Sequence, residues 1–222
     1  MSENDPAKKT GQAKTRVLDG KVLLVINLVA MGFSLFYIYT CAFGLISSEL
    51  HRGADLLFTF PLCLMLYPIL RGTGGNRVPL LDWGLLLITL VAIGYWLFEY
   101  PSYAYRIGNP QSMDIIMGAV VILLSLEAAR RVVGWVLPLL AVIGLLYAYL
   151  GPYVPGVLGH FGFGVQRIVE YTAVGMGGIY GIVTNTYATF IFPFIVFASF
   201  LQAAGGGVAI EEISSALAGS TR

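Results

Sequence analysis

One acidic side chain of the sequence lies within an apolar stretch. Glu127 follows the uncharged residues 115–126, and Arg130 and Arg131 come directly afterwards. An ionisable side chain in a membrane segment is by default a candidate for ion or substrate handling. On a helix, however, residues three and four positions apart are neighbours, so both arginines can pair with this carboxylate. We therefore predict a structural ion pair of Glu127 with Arg130 and Arg131, whose guanidinium groups extend toward the membrane surface.

A glycine-dense stretch, residues 175–181, precedes the last apolar run of the sequence. Its Gly177 and Gly181 have the spacing that allows close contact between two helices. A bend at the membrane surface is the alternative explanation. Asn185 and Thr186 follow within the apolar run, where polar groups usually hydrogen-bond across helices. A role of these residues in a transport path is the second hypothesis.

No group of residues in the sequence points to an enzyme. His51 and His160 fall in predicted outer connections and lack metal-ligand spacing. Cys41 and Cys63 are too few for a disulfide framework or a zinc site, and their apolar surroundings predict buried free thiols. The motifs of serine hydrolases, zinc proteases and phosphate-binding loops do not occur. We predict no catalytic, metal-binding or cofactor-binding residue.

The composition indicates a membrane protein. Hydrophobic residues make up 57% of the chain and charged residues 11%, whereas soluble domains carry roughly 25% charged residues. Lipid must therefore cover much of the surface. The net charge of +1 and the lack of basic runs give no indication of nucleic-acid binding.

The spacing of the charges predicts an all-α protein with about six membrane-spanning helices, since each crossing needs about 20 mostly apolar residues. The predicted spans are residues 22–45, 54–70, 83–99, 113–130, 132–150 and 182–203. Prolines inside them free backbone carbonyls that neighbouring groups must satisfy; they are Pro61, Pro68, Pro138 and Pro193. The polar residues 1–20 predict a disordered cytoplasmic tail.

The distribution of lysine and arginine predicts that both termini are cytoplasmic, because cytoplasmic loops carry an excess of positive charge. The inner segments then hold ten of these residues: Lys8, Lys9, Lys14, Arg16, Lys21, Arg71, Arg77, Arg130, Arg131 and Arg222. The outer segments hold three: Arg52, Arg106 and Arg167. This count requires two separate crossings that meet at Arg130 and Arg131. A single crossing over residues 113–150 would place both arginines near the middle of the bilayer, which is costly.

Two stretches resemble a known family of transporters. Residues 123–153, LLSLEAARRVVGWVLPLLAVIGLLYAYLGPY, resemble the junction region in fused permeases of tripartite ATP-independent periplasmic (TRAP) transporters, in the branch whose soluble receptors are of the TAXI type. Residues 177–203, GGIYGIVTNTYATFIFPFIVFASFLQA, resemble the opening helix of the large membrane domain in the same proteins. The stretch LDWGLLLITLVAIGYWLF fits less specifically, and the resemblance extends from about residue 17 to the end.

The resemblance implies a domain organisation. After the tail, residues 21–131 correspond to a four-helix small-subunit-like domain and residues 132–150 to a connecting transmembrane helix. Residues 151–222 correspond to an outer segment and the first helix of a truncated large permease domain. A connecting helix is needed because the small domain ends inside and the large one begins outside, as the charge count independently requires.

The resemblance also implies a function and partners. The chain is expected to be a supporting component of a receptor-dependent secondary transporter, a symporter that imports small organic acids with a sodium or proton gradient. Its expected partners are the large permease domain (in cis or in trans), a periplasmic substrate-binding receptor and the lipid bilayer of a bacterial or archaeal cytoplasmic membrane. The large domain carries the transport path in that family, and its substrate and ion hairpins are expected beyond Arg222.

Two alternatives stay open. The small membrane subunit of a tripartite tricarboxylate transporter has the same hydropathy profile. A membrane scaffold without any transport role would also fit the composition and the predicted spans.

Overall fold

The computed structural model describes residues 16, 18, 20–44, 47–69 and 78–219. This part of the chain contains nine α-helices and no strand. The helices are Lys21–Phe43 (α1), Ser48–Leu66 (α2), Leu80–Tyr103 (α3), Ser112–Val132 (α4), Val136–Leu150 (α5), Val165–Val169 (α6), Ile182–Thr186 (α7), Phe192–Ala203 (α8) and Gly206–Gly219 (α9).

Five helical stretches of the described chain are long and apolar enough to cross a membrane. They are Val22–Phe43, Leu80–Arg106, Ser112–Val132, Val136–Tyr153 and Ile182–Ala203. The prediction of an all-α membrane protein is thereby confirmed for the described residues. The predicted span over residues 54–70 is not among the five, because α2 begins earlier, at Ser48, and includes three charged side chains and a histidine.

Helices α1 to α4 form an antiparallel bundle with α2 between α1 and α3. At one end, Ile26 near the start of α1 packs with Met65 near the end of α2. At the other end, a Cβ atom on Gly53 of α2 would meet Leu97 of α3. We call the end where α1 and α3 begin the Asp82 end, and the end where α4 begins the Asp114 end. The core between them contains Leu56, Phe60, Ala92, Ile93, Trp96, Val121 and Leu124.

The first turns of two helices explain where they begin. The Ser47 side chain accepts a hydrogen bond from the Leu50 amide (3.1 Å) and caps α2. Gln111 and Asp114 form a capping box at the start of α4. Arg130 and Arg131 lie in the last turn of α4, where positive charge interacts favourably with the helix dipole.

The segment after α6 packs inside the bundle. A turn of π-helix at Glu170–Val174 follows α6, and Ala173 and Tyr180 belong to the core. Gly118 of α4 makes room for it, since a Cβ atom there would lie 2.8 Å from Val169. Gly118 is about 9 Å along α4 from its start, at 1.5 Å per residue. This part of the predicted outer segment therefore reaches into the bundle.

The last helical stretch, Ile182–Ala203, has an irregular middle. It consists of α7, a turn of π-helix at Tyr187–Ile191 and α8. Pro193, which has no N–H to donate, is the second residue of α8, just after the π-helical turn. Ala188 and Phe192 pack on Phe33 and Tyr37 of α1, while α8 itself has no buried residue.

Two residues of the predicted disordered tail are packed. Arg16 and Leu18 are buried, and the Arg16 amide donates to the Leu66 carbonyl at 2.8 Å. The prediction of an unpacked tail is wrong for these two residues; residues 1–15 lie outside the described part. Arg71, Arg77 and Arg222, which enter the charge count, also lie outside it. Helix α9 is an additional element beyond the predicted spans.

Candidate functional site

A network of three arginines and two carboxylates joins the helices at the Asp82 end. Glu127 Oε1 accepts hydrogen bonds from Arg130 Nη2 (2.7 Å) and Arg131 Nε (2.8 Å). Arg131 Nη2 lies 2.9 Å from Asp82 Oδ1, and Arg16 Nη2 donates to Asp82 Oδ2 at 2.8 Å. The pairing predicted for Glu127 therefore extends to Asp82 and Arg16, which sequence reasoning missed.

Arg131 is buried and does not extend toward the membrane surface as predicted. Its side chain is 0% exposed, and Nη1 donates to the carbonyls of Leu64 (3.0 Å) and Tyr67 (3.2 Å). The last carbonyls of a helix have no partner within the helix, so Arg131 satisfies the end of α2. Arg130 stays partly exposed and lies over the Trp135 ring at 5.3 Å.

Glu170 anchors the inserted segment at the Asp114 end. Its carboxylate accepts hydrogen bonds from Tyr103 Oη (2.7 Å), the Gly108 amide (2.6 Å) and Arg167 Nη1 (3.1 Å). Burial acts to raise the pKa of Glu170, but these hydrogen bonds and the charge of Arg167 outweigh it and lower the pKa. The ionised carboxylate thus ties the inserted segment to the α3–α4 connection.

Asp114 joins the end of α3 to the start of α4. It accepts a hydrogen bond from Tyr95 Oη at 2.7 Å, and Arg106 Nη1 lies 3.3 Å from its other oxygen. Arg106 also pairs with Glu99. Both networks at this end therefore connect neighbouring helices.

Asn185 is held by α2. Arg52 donates through Nε to Asn185 Oδ1 (3.2 Å) and through Nη1 to the Tyr180 carbonyl (2.9 Å). The Ser48 hydroxyl is 3.4 Å from the same amide oxygen. Asn185 thus bonds across helices, while its neighbour Thr186 is exposed.

The two predicted glycines lie in a bend. Residues 176–180 form a turn, so Gly177 and Gly181 do not face another helix along a shared seam. A Cβ atom added to Gly181 would lie 2.5 Å from the Gly178 carbonyl oxygen, and one added to Gly177 would lie 2.6 Å from the Tyr171 ring. The absence of a side chain therefore permits the tight turn that places Tyr180 in the core.

A further buried carboxylate, Asp55, was missed in the sequence because it lies near the predicted start of a span. Asp55 is 2% exposed and accepts a hydrogen bond from Tyr37 Oη at 2.5 Å. None of the ion pairs in the described part of the chain includes it. His51 lies one helical turn earlier, with its ring centroid 5.2 Å from that of Tyr37.

His51 and Cys41 are not where the sequence predicted them. His51 is in α2 rather than in an outer connection, and it is 3% exposed. Neither of its ring nitrogens makes a hydrogen bond of normal geometry among the described residues, although the backbone of Ala188 is close to the ring. Cys41 is exposed rather than buried, and Cys63 is half-buried.

His160 has a local structural role. Its Nε2 is 3.1 Å from the Tyr147 carbonyl oxygen, and its Nδ1 accepts from the Gly162 amide at 3.0 Å. Within the described ranges no three His, Cys, Asp or Glu side chains are grouped so that they could hold a metal ion.

No family model, curated protein or solved structure matches this chain. The described residues form charge networks at the two ends of the bundle and an apolar core between them. Phe60, Ile93, Val121 and Leu124 are buried in that core. Such an arrangement fixes the helices relative to one another.

Proposed function

We propose that the chain crosses the membrane six times, with α2 as the crossing that hydropathy alone does not identify. Helix α2 has 19 residues and is therefore about 28 Å long, close to the ~30 Å hydrocarbon core. It lies antiparallel to α1 and α3 and packs between them. Its polar side chains Asp55 and His51 are buried against protein, which makes them tolerable at membrane depth.

We propose further that the Asp82 end faces the cytoplasm and that both termini are cytoplasmic. Arg16, Arg130 and Arg131 are at this end. Arg52, Arg106 and Arg167 are at or near the other end. The asymmetry agrees with the excess of positive charge on cytoplasmic segments.

The function that this arrangement supports best is that of a supporting component of a TRAP-type secondary transporter. The transporter would import small organic acids with a sodium or proton gradient across a bacterial or archaeal cytoplasmic membrane. The observation that carries the proposal is the contrast between the closed bundle and the helices that follow it. The bundle is filled by apolar side chains, whereas α5 has only Pro138 buried and α8 has no buried residue.

This contrast fits the order of elements that the resemblance implies. Helix α5 returns the chain from the Asp82 end to the Asp114 end and makes few contacts of its own, as expected of a connecting helix. The stretch Ile182–Ala203 then offers its surface to a large permease domain, in cis or in trans. A periplasmic substrate-binding receptor would dock on the outer face of the assembly.

Photo-crosslinking in native membranes tests the partner. A photo-reactive amino acid replaces Phe197 on α8, whose side chain is 62% exposed, and Leu87 on α3, 64% exposed, serves as the matched position. We expect the probe at Phe197 to capture a polypeptide that mass spectrometry identifies as a large TRAP-type permease domain, and the probe at Leu87 to capture lipid. If the probe at Phe197 captures a subunit of a tripartite tricarboxylate transporter, the result would favour that transporter family instead. Lipid alone at both positions would contradict the supporting role.

A further inference from the structure

Asp55 is a buried carboxyl group that pairs with no positive side chain of the described residues. It lies seven residues after the start of α2, about 10 Å along the helix axis, and is 2% exposed. Among the described residues its one hydrogen bond comes from Tyr37 Oη, and Tyr37 itself is fully buried. An ionised carboxylate with one hydrogen bond in such a place is very costly, and a group in this position neutralises itself instead.

The positive side chain that is nearest to Asp55 in the sequence forms hydrogen bonds with other groups. Arg52 is three residues before Asp55 on α2, but its guanidinium group donates to Asn185 and to the Tyr180 carbonyl. The other titratable groups around the site are Cys41 on α1, His51 on α2 and Tyr187 in the last helical stretch, with Tyr100 of α3 near Glu49 and Arg52. None of the cysteine, histidine and tyrosine side chains named here carries a fixed positive charge that could balance Asp55.

His51 completes the site. It precedes Asp55 by four residues, so the two lie on the same face of α2, and its ring packs edge-on against Tyr37 and stacks on Phe36. Its two ring nitrogens are buried and make no hydrogen bond of normal geometry in the described part of the chain, although the backbone of Ala188 is close enough to interact with the ring. A neutral imidazole has one nitrogen that can accept a proton.

We propose that Asp55, Tyr37 and His51 form a proton-binding site in which Asp55 carries the proton at neutral pH. Tyr37 donates to one carboxyl oxygen, and the proton is on the other. His51 makes no hydrogen bond to Asp55 in this structure, so release requires the two side chains to move together. The O–H bond of Asp55 then breaks and the proton bonds to a ring nitrogen of His51, so a neutral pair becomes a carboxylate and an imidazolium. The net charge of the site is unchanged in this step, which limits its cost in apolar surroundings.

The last helical stretch controls access to the site. Ala188, in the π-helical turn, is fully buried against Phe33 and Tyr37, and the Phe192 ring centroid is 4.4 Å from that of Tyr37. Proton exchange with water therefore requires this stretch to move. A π-helical turn is frequent at functional sites, and here it lies directly over the buried groups.

Infrared spectroscopy of the purified full chain tests the site, because a protonated carboxyl group has its own carbonyl band. At neutral pH we expect a band equivalent to one carboxyl group per chain that is lost in Asp55→Asn. The band stays in Glu212→Gln, which removes an exposed carboxylate. In Tyr37→Phe the band remains and moves to higher frequency, because the hydrogen bond to the carboxyl group is lost.

Each possible result supports or overturns the proposal. A wild-type spectrum that Asp55→Asn leaves unchanged would overturn the proposal. So would a band that appears at neutral pH only when sodium is replaced by choline, since a metal cation rather than a proton would then occupy the site. If Asp55→Asn does not fold, Tyr37→Phe decides, and an unshifted band would overturn the proposal. The result does not depend on the transporter assignment, because the band reports on the isolated chain.

Discussion

Asp82 lies between two guanidinium groups, and its side chain has no contact with solvent. Arg16 and Arg131 pair with its two oxygens, and their side chains are 3% and 0% exposed. Glu127 belongs to the same network but is 25% exposed. The two acids should therefore differ strongly in their importance for stability.

We expect Asp82→Asn to lower the free energy of unfolding by about 3–5 kcal/mol, because it leaves two buried arginines without their shared carboxylate. Glu127→Gln should cost much less, since water reaches Glu127 and Arg130 keeps its bond to the Ile69 carbonyl. Unfolding of the purified variants in mixed micelles measures both values. A loss for Glu127→Gln as large as that for Asp82→Asn would contradict this ranking.

Glu170 should make stability depend on pH. Because its pKa is lowered in the folded protein, its contribution is fully present above the ordinary range of a glutamate and is lost as the pH falls through the lowered pKa. The melting temperature of the wild type should therefore fall more on acidification than that of Glu170→Gln. Identical pH profiles for the two proteins would exclude this role.

At the level of residues, ion pairs within one helix could be predicted from the sequence, whereas ion pairs between helices could not. The spacing of Glu127 with Arg130 and Arg131 on one helix is sufficient to predict their contact. The contact of Arg131 with Asp82 joins two helices, and no spacing rule connects them before the fold is known. Asp55 lay at the edge of a predicted span and was counted only toward its length.

At the level of elements, the boundaries of α2 show which signals matter. The sequence predicted residues 54–70, from the lack of charge, whereas the helix is Ser48–Leu66. Ser47 is a typical N-cap residue and Pro68 a typical residue beyond a helix end, so both boundaries were visible in the sequence. The charged side chains in the first turns of α2 are tolerated because other helices, and not lipid, cover much of their surface.

The inserted segment depends on the missing side chain of Gly118. A leucine there would collide with Val169 and Val174, whereas nothing lies within 4 Å of a Cβ atom at Gly144 of α5. We expect Gly118→Leu to destabilise the protein by roughly 1–3 kcal/mol through overpacking, and Gly144→Leu to have little effect. Thermal unfolding of both variants in detergent tests this. Equal stability of the two would argue against insertion of residues 165–181.

The insertion itself could not have been predicted. Residues 165–181 have few charges, but their glycines and short apolar runs also fit a loop at the membrane surface. Their position follows from contacts with α3 and α4, such as the hydrogen bond from Trp96 Nε1 to the Val174 carbonyl (2.7 Å). Such contacts depend on the packing of the whole bundle.

At the level of the whole molecule, the proposed topology makes a definite prediction. Reporter fusions at Gly74, Asn109, Arg131 and Gly162 should read inside, outside, inside and outside. The position at Arg131 is decisive, because it separates two crossings from one long crossing over residues 113–150. An outside signal there would reverse the assignment of the Asp82 end.

The proposed role predicts that this chain supports transport and does not carry the substrate itself. Transport by alternating access needs a binding site near mid-membrane between parts that move against each other, whereas the core that α2, α3 and α4 share with the inserted segment is apolar. Purified chain is reconstituted in liposomes with a matching receptor, under a sodium or a proton gradient, and uptake of radiolabelled small mono- and dicarboxylates is measured. We expect no uptake by the chain alone, and uptake when a large permease domain is added. Uptake by the chain alone would contradict the supporting role.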